Sequence, residues 1–199
     1  MNEELDPFYQ HVKCIISFLQ LAFSKRPKGS FRFVEGPEDK ESEIIIAGIK
    51  ALKAATIPRI IVARGPAQSV SVSMDNFYTI NKQTGARSYR MLLSMPISIN
   101  VIANIDTEAQ EMAWFIQKQI LAHRHVIRQV GNFHKIDSNI SMTPPTDYNA
   151  ILNPEVKSEA SLVQLGLVTI IPYGYTTHPV DRPLLVRAKN STTLKNTDS

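Results

Sequence analysis

A chain of 199 residues, 43% apolar and 20% charged, is long enough for one substantial core and too ordinary in composition for a disordered or fibrous class. Its net charge of +4 permits an acidic partner or nucleic acid without demanding either, and no run approaches the ~18 uninterrupted apolar residues of a membrane-spanning helix. The single cysteine, Cys14, rules out an internal disulfide and suits a reducing compartment, and the acidic start Met1-Asn2-Glu3-Glu4 lacks the features of a signal peptide, so synthesis in a cytoplasm is expected.

Asp6-Pro7 predicts a helix start, with Asp as N-cap and proline at the first helical position. Phe8, Val12, Ile15, Leu19 and Ala22 fall on one face; Gln10, Lys13, Ser17, Gln20 and Ser24 fall on the other. The helix should stop near Lys25-Arg26-Pro27. Residues 28–40 read as a loop insertion, with Phe31 and Phe33 suggesting a short strand within it. Residues 41–55 read as a second helix, because Ile45, Ile49 and Leu52 share a face; the β-branched run Ile44-Ile45-Ile46 leaves a strand open at its start. A short strand over 59–63 ends at Arg64-Gly65-Pro66, and Val70, Val72 and Met74 alternate with serines as another.

Residues 75–86 read as a polar loop, the extended tip of a hairpin whose second strand is very long. Tyr89, Met91, Leu93, Met95, Ile97, Ile99 and Val101 occupy every odd position, so that strand has one apolar and one wetter face. Pro96 cannot donate a ladder hydrogen bond and should mark an edge or a bulge. A helix follows over 107–130. Thr107 with Gln110 fits a capping box, and Ala109, Met112, Ala113, Ile116, Ile120 and Ile127 form one stripe expected to pack on the odd face of the strand. Val130-Gly131 ends it. Ile136, Ser138, Ile140 and Met142 suggest a strand, residues 146–160 a loop, and Leu165, Leu167, Thr169, Ile171, Tyr173 and Tyr175 a second long strand. From Arg182 the chain is polar and basic. The expected organisation is a single α+β domain over 1–181, with a mainly antiparallel sheet, a long hairpin and flanking helices, followed by an extended arm over 182–199.

Candidate chemistry is sparse. His123-Arg124-His125 places its imidazoles two apart, whereas a helical metal pair needs four-residue spacing, so no metal site is expected. Cys14, beside Ile15 in an apolar helical segment, reads as a buried inert thiol. Gly65-Pro66 lacks the spacing of a phosphate loop, and the serines 69, 71 and 73 lie on a strand face rather than a nucleophile turn. Arg124 and Arg128, one turn apart, could touch phosphates; a solvated helix face is the stronger reading. No catalytic residue or cofactor is expected, and the chain does not read as an enzyme.

The segment 93–128, a strand followed by the turn Asn104-Ile105-Asp106-Thr107-Glu108-Ala109-Gln110 and by Met112-Ala113-Trp114 entering a helix, resembles tail-terminator and neck proteins of long-tailed bacteriophages. So do the strand opened by Ile57-Pro58-Arg59-Ile60-Ile61-Val62 and the closing Val168-Thr169-Ile170-Ile171-Pro172-Tyr173-Gly174-Tyr175. The resemblance covers about 57–178 and leaves 28–40 and the arm unaccounted for. It implies a sheet flanked by helices in a subunit that forms a ring, typically a hexamer. The ring would cap the tail tube and meet a head-completion or connector protein, with DNA only a passenger through the lumen, no membrane, and no catalysis. The location implied is the virion neck or tail, after assembly in the host cytoplasm. A head-completion adaptor or another tail-tube-associated protein is the alternative within that class, and a basic nucleic-acid-binding module the alternative outside it. Candidate partner-contact residues are Asp75, Asn76, Asn81, Lys82 and Arg87 at the hairpin tip and Arg182, Arg187 and Lys189 in the arm.

Overall fold

In a computed structural model of the chain, the described residues are 8–35, 42–48, 58–70, 77–148 and 160–177. The chain divides into two compact units, the first made of Met1–Gln68 and Leu93–Ile171, the second of Ser69–Leu92 and Pro172–Ser199. Among the described residues there are two helices, α1 (Tyr9–Ser24) and α2 (Asp106–Val130). The strands are β1 (Ile45–Gly48), β2 (Arg59–Arg64), β3 (Gln68–Val70), β4 (Phe77–Ile80), β5 (Arg87–Ala103), β6 (Lys135–Ile136), β7 (Ser141–Met142), β8 (Thr146–Asp147) and β9 (Ser161–Thr177). They form one mixed sheet in the order β1-β2-β5-β9-β6, with β3 and β4 pairing β5, and β7 and β8 pairing β9. β1 runs parallel to β2; β2 with β5, β4 with β5, and β6, β7 and β8 with β9 are antiparallel. The fold is α+β with a mostly antiparallel sheet.

In the first unit the strand registers sort side chains onto two faces. Ile60 pairs with Val101 and Val62 with Ile99, while Ile46 lies opposite Ile60 on the other flank of β2. These side chains share one face with Met95 and Ile97, and all are essentially buried. α1 packs against β1 and β2 on this side: the Gln20 side-chain amide donates to the Ile46 carbonyl at 3.1 Å, and Gly48 faces Ile16. β9 lies beside β5 and buries Val163, Leu165, Leu167, Thr169 and Ile171; Thr169 Oγ1 donates to the Met95 carbonyl at 2.8 Å. Each fully buried aliphatic side chain contributes roughly 1.5–3 kcal/mol over leaving it in water. On the opposite face Ile61, Ile102, Tyr148 and Ala160 cluster with Leu162. There Arg59 donates to the Tyr148 hydroxyl at 3.0 Å, and Gln164 and Val168 of the same face stay exposed.

α2 buries Ala109, Met112, Ala113, Ile116, Ile120 and Ile127, the stripe its spacing predicts. α1 buries Val12, Ile15, Leu19 and Phe23; the 3.6-residue repeat carries the stripe to Phe23 rather than Ala22. α1 meets α2 and the turn after it through rings: Phe23 lies edge-on to Phe115 at 4.9 Å, Phe18 near His123 at 5.8 Å, and His11 edge-on to Phe133, past the end of α2, at 5.2 Å. Arg26 sits over Phe115 and pairs with Glu111 at 2.9 Å.

Several local expectations are corrected. The helix expected over 41–55 is a strand at Ile45–Gly48, where the β-branched run pairs with β2; 49–55 lie outside the described residues. Phe31 and Phe33 form no strand. Phe31 has φ +61, and the carboxylate of Glu43 gathers the loop by accepting the backbone N–H groups of Gly29 and Arg32, which hold its pKa below the ordinary range. The capping box at Thr107 is absent: the N-cap of α2 is Ile105 with no side-chain cap, because Asp106 is already helical. Asp6, the expected N-cap of α1, lies outside the described residues, and Phe8 holds that place without a side-chain cap.

The strand expected over 136–142 is broken into β6 and β7, with β8 following the proline pair, all along β9. Pro96 lies inside β5, a strand with neighbours on both sides in the sheet order rather than at an edge. The Gly65 N–H donates to the Pro96 carbonyl at 2.8 Å just past the last β2 pair, so the missing proline N–H falls where β2 runs out. α2 ends at Gly131, but the left-handed residue is Asn132 with φ +51. Phe133 N–H to the Arg128 carbonyl at 3.0 Å and Asn132 N–H to the Gln129 carbonyl at 3.4 Å complete a Schellman motif. Gly131 answers to space instead: a Cβ there would lie 2.3 Å from Phe133 Cε2 and 2.9 Å from Cys14 Sγ.

Candidate assembly interface

The second unit contains β4, the first residues of β5 and the last residues of β9. β4 corrects the expected polar loop over 75–86. Phe77–Ile80 is a strand paired with β5, Phe77 opposite Tyr89 and Ile80 opposite Arg87, so the tip shrinks to 81–86. That tip is a closed turn. The side-chain oxygen of Asn81 accepts the N–H groups of Gln83 and Thr84 at 2.9 and 3.3 Å; its carbonyl accepts Gly85 N–H and its N–H reaches the Ala86 carbonyl, both at 2.8 Å. Gly85 supplies the positive φ, +68, that the turn requires.

Of the predicted contact residues, Asn81, Lys82 and Arg87 come together at this tip, Lys82 and Arg87 exposed. Asn81, exposed as well, uses its side-chain oxygen to shape the turn. Asp75, Asn76, Arg182, Arg187 and Lys189 lie outside the described residues, as does the arm as a whole.

Sequence reasoning counted the tyrosines of this unit among strand positions without seeing them as a site. Tyr89 stacks on Tyr175 with ring centroids 5.0 Å apart and planes 13° from parallel, and Tyr173 lies 6.4 Å from Tyr175 on the same strand face. Ser88 and Thr176 share a hydrogen bond at 3.1 Å. The rings are only partly covered: Tyr89 and Tyr173 are half-buried and Tyr175 is 39% exposed, with Ile80 at 42%. The signal was present as aromatic residues at odd positions of both long alternating runs. An aromatic face of this kind, apolar over its ring surface and polar at each hydroxyl, suits contact with another protein.

The first unit carries a second apolar surface, a groove of about 420 Å³ lined by Lys13, Cys14, Phe18, Leu21, Ile127 and Val130 among others. Cys14, expected to be buried, is half-buried here, and burial raises its thiol pKa. Among the described residues no cluster of three or more His, Cys, Asp or Glu could hold a metal, and no helix is long and apolar enough to cross a membrane. Compared with models of known protein families and with curated protein sequences, the chain finds no match.

Proposed function

We propose that the chain is a structural virion protein of a long-tailed bacteriophage neck, a ring-forming tail terminator that caps the tail tube and joins it to the head connector. The observation that carries this reading is the partly exposed tyrosine face on two strands of 17 residues each, about three times the usual strand length. A lone subunit gains nothing from a strand face that its own core leaves half uncovered; a subunit in a closed ring buries such a face against its neighbour. The element order of strand, turn and long helix over 93–128, with the closing strand to Tyr175, adds the resemblance to tail-terminator and neck proteins. In this role the protein performs no catalysis, and its partners are further copies of itself, the tail tube protein and a head-completion or connector protein.

The test is the mass of the purified chain, alone and mixed with tail tubes, by native mass spectrometry. A closed oligomer, alone or formed on the tube end, is expected. A monomer under both conditions contradicts the proposal, and a ring that binds connector but never tube ends favours the head-completion alternative.

A further inference from the structure

We propose that Arg124, His125, Arg128 and Lys135 form a phosphate-binding site for the backbone of nucleic acid. The four side chains line one concavity of about 220 Å³, together with Ile136. Their convergence has a structural cause. Arg124 and Arg128 are four residues apart on α2 and therefore share a face. The Schellman turn at 131–133 then reverses the chain, and β6 is pinned to β9 by Lys135 opposite Ile170 and Ile136 opposite Thr169, which fixes Lys135 beside the helix end.

Among the described residues the nearby counter-charge is small. Asp137 is the acid that feels Lys135 and Arg124; its carboxyl is held below the ordinary range first by the Asn139 backbone N–H and then by those cations. Ionised, it offsets one of three permanent positive charges. Among the described residues none of the four side chains forms an ion pair. Basic residues near a helix C-terminus offset the helix dipole. That accounts for Arg128, in the last turn, but not for Lys135, which is on a strand.

Three permanent cations and an imidazole facing one small concavity match a ligand of dense, regularly spaced negative charge. Duplex DNA carries one charge per ~1.7 Å of axis, and guanidinium forks bind phosphate oxygens bidentately. An acidic protein surface brings single carboxylates at spacings set by its own fold, a poorer match to cations held this close.

The experiment measures binding of the full chain to a fluorescein-labelled mixed-sequence duplex by anisotropy, across about 50–200 mM salt. Removing one cation from the phosphates should reduce the log–log salt slope by about 0.9. The R124Q/R128Q variant should therefore drop roughly two units of slope and K135Q about one, each weakening binding at low salt. Lys118→Gln, an exposed cation elsewhere on α2, should change neither. Should the double variant fail to fold, K135Q alone decides. Unaltered slopes, or an equal reduction in Lys118→Gln, overturn the proposal. Displacement by poly-glutamate more effectively than by unlabelled DNA at equal charge would make this an acidic-protein surface, and displacement by millimolar inorganic phosphate alone a free-anion pocket; either result overturns it.

Discussion

In the first unit, Met95, Ile97, Ile99 and Val101 of β5 and Val163, Leu165, Leu167 and Ile171 of β9 are all 0–1% exposed. In the second unit the same two strands continue the same odd-numbered pattern, yet Tyr89, Met91 and Tyr173 are half-buried and Tyr175 is exposed. Alternation therefore specifies a strand with an apolar side; it does not specify what covers that side. In the first unit the cover includes α1, packed on β1 and β2, with α2 joined to it by the ring contacts of Phe23 and Phe18. Residue choice follows the same division. Aliphatic side chains, which pack densely and carry no polar atom, fill most of the fully buried rows, Ser161 and Thr169 excepted, whereas tyrosines, which tolerate a wet edge, mark the partly covered ones.

The comparison breaks most visibly by placing a charge in the buried rows. Ile99→Asp or Ile116→Asp puts an unpaired carboxylate where the native side chain is 0% exposed, and should cost roughly 4 kcal/mol or more. Denaturant unfolding that leaves the midpoint of either variant at the wild-type value would show that these rows are not the core.

A smaller effect is expected at the seam joining α1 to the end of α2. Gly131→Ala introduces a Cβ against Phe133 and Cys14 and should cost about 1–3 kcal/mol, although its backbone conformation is open to any residue. Asn132→Gly, at the left-handed position, should be tolerated within about 0.5 kcal/mol. Thermal melts of the two variants check the order, and the reverse ranking would mean that backbone strain, not packing, closes the helix.

The smallest effect is a pH dependence. The ring nitrogens of His11 are withdrawn from water, and burial, partly offset by the Phe8 backbone, lowers its pKa below the ordinary 6.5. With its folded pKa depressed, the imidazole favours the fold fully above that ordinary value, and stability falls as pH drops below it through the folded pKa. The melting temperature should therefore decline as the pH falls below that ordinary value, and His11→Leu should flatten that decline. An unchanged slope in His11→Leu would assign the dependence to other groups.

Much of the first unit was legible because periodicity is strong there. The stripe of α2 and the alternation of β5 and β9 follow from spacing, although β5 runs two residues past Tyr89–Val101 at each end and β9 starts at Ser161 rather than Leu165. β1 was not, because Ile45 and Ile49 satisfy a helical spacing as well as a β-branched strand, and pairing with β2 decided between them. β4 was missed because Asp75, Asn76 and Asn81 bracket it with turn-forming residues; only its pairing with β5 reveals the strand. At the interface, the charged tip residues were the visible candidates. The tyrosine stack was hidden because Tyr89 and Tyr175 are far apart in sequence and meet only once β5 and β9 lie side by side. The concavity at Arg124 and Arg128 was half legible: the helical pair is in the spacing, but Lys135 joins it only through the turn at Asn132.

The central claim is that the tyrosine face is covered by another subunit. A Tyr89→Ala/Tyr175→Ala variant, followed by sedimentation velocity with tail tubes and by thermal unfolding as a free subunit, tests it most directly. The account predicts loss of the assembled species, with a free-subunit stability loss well below the roughly 2–5 kcal/mol expected for truncating a core isoleucine such as Ile99 to alanine. Assembly equal to wild type, or a stability loss in the free subunit as large as that of Ile99→Ala, would contradict it.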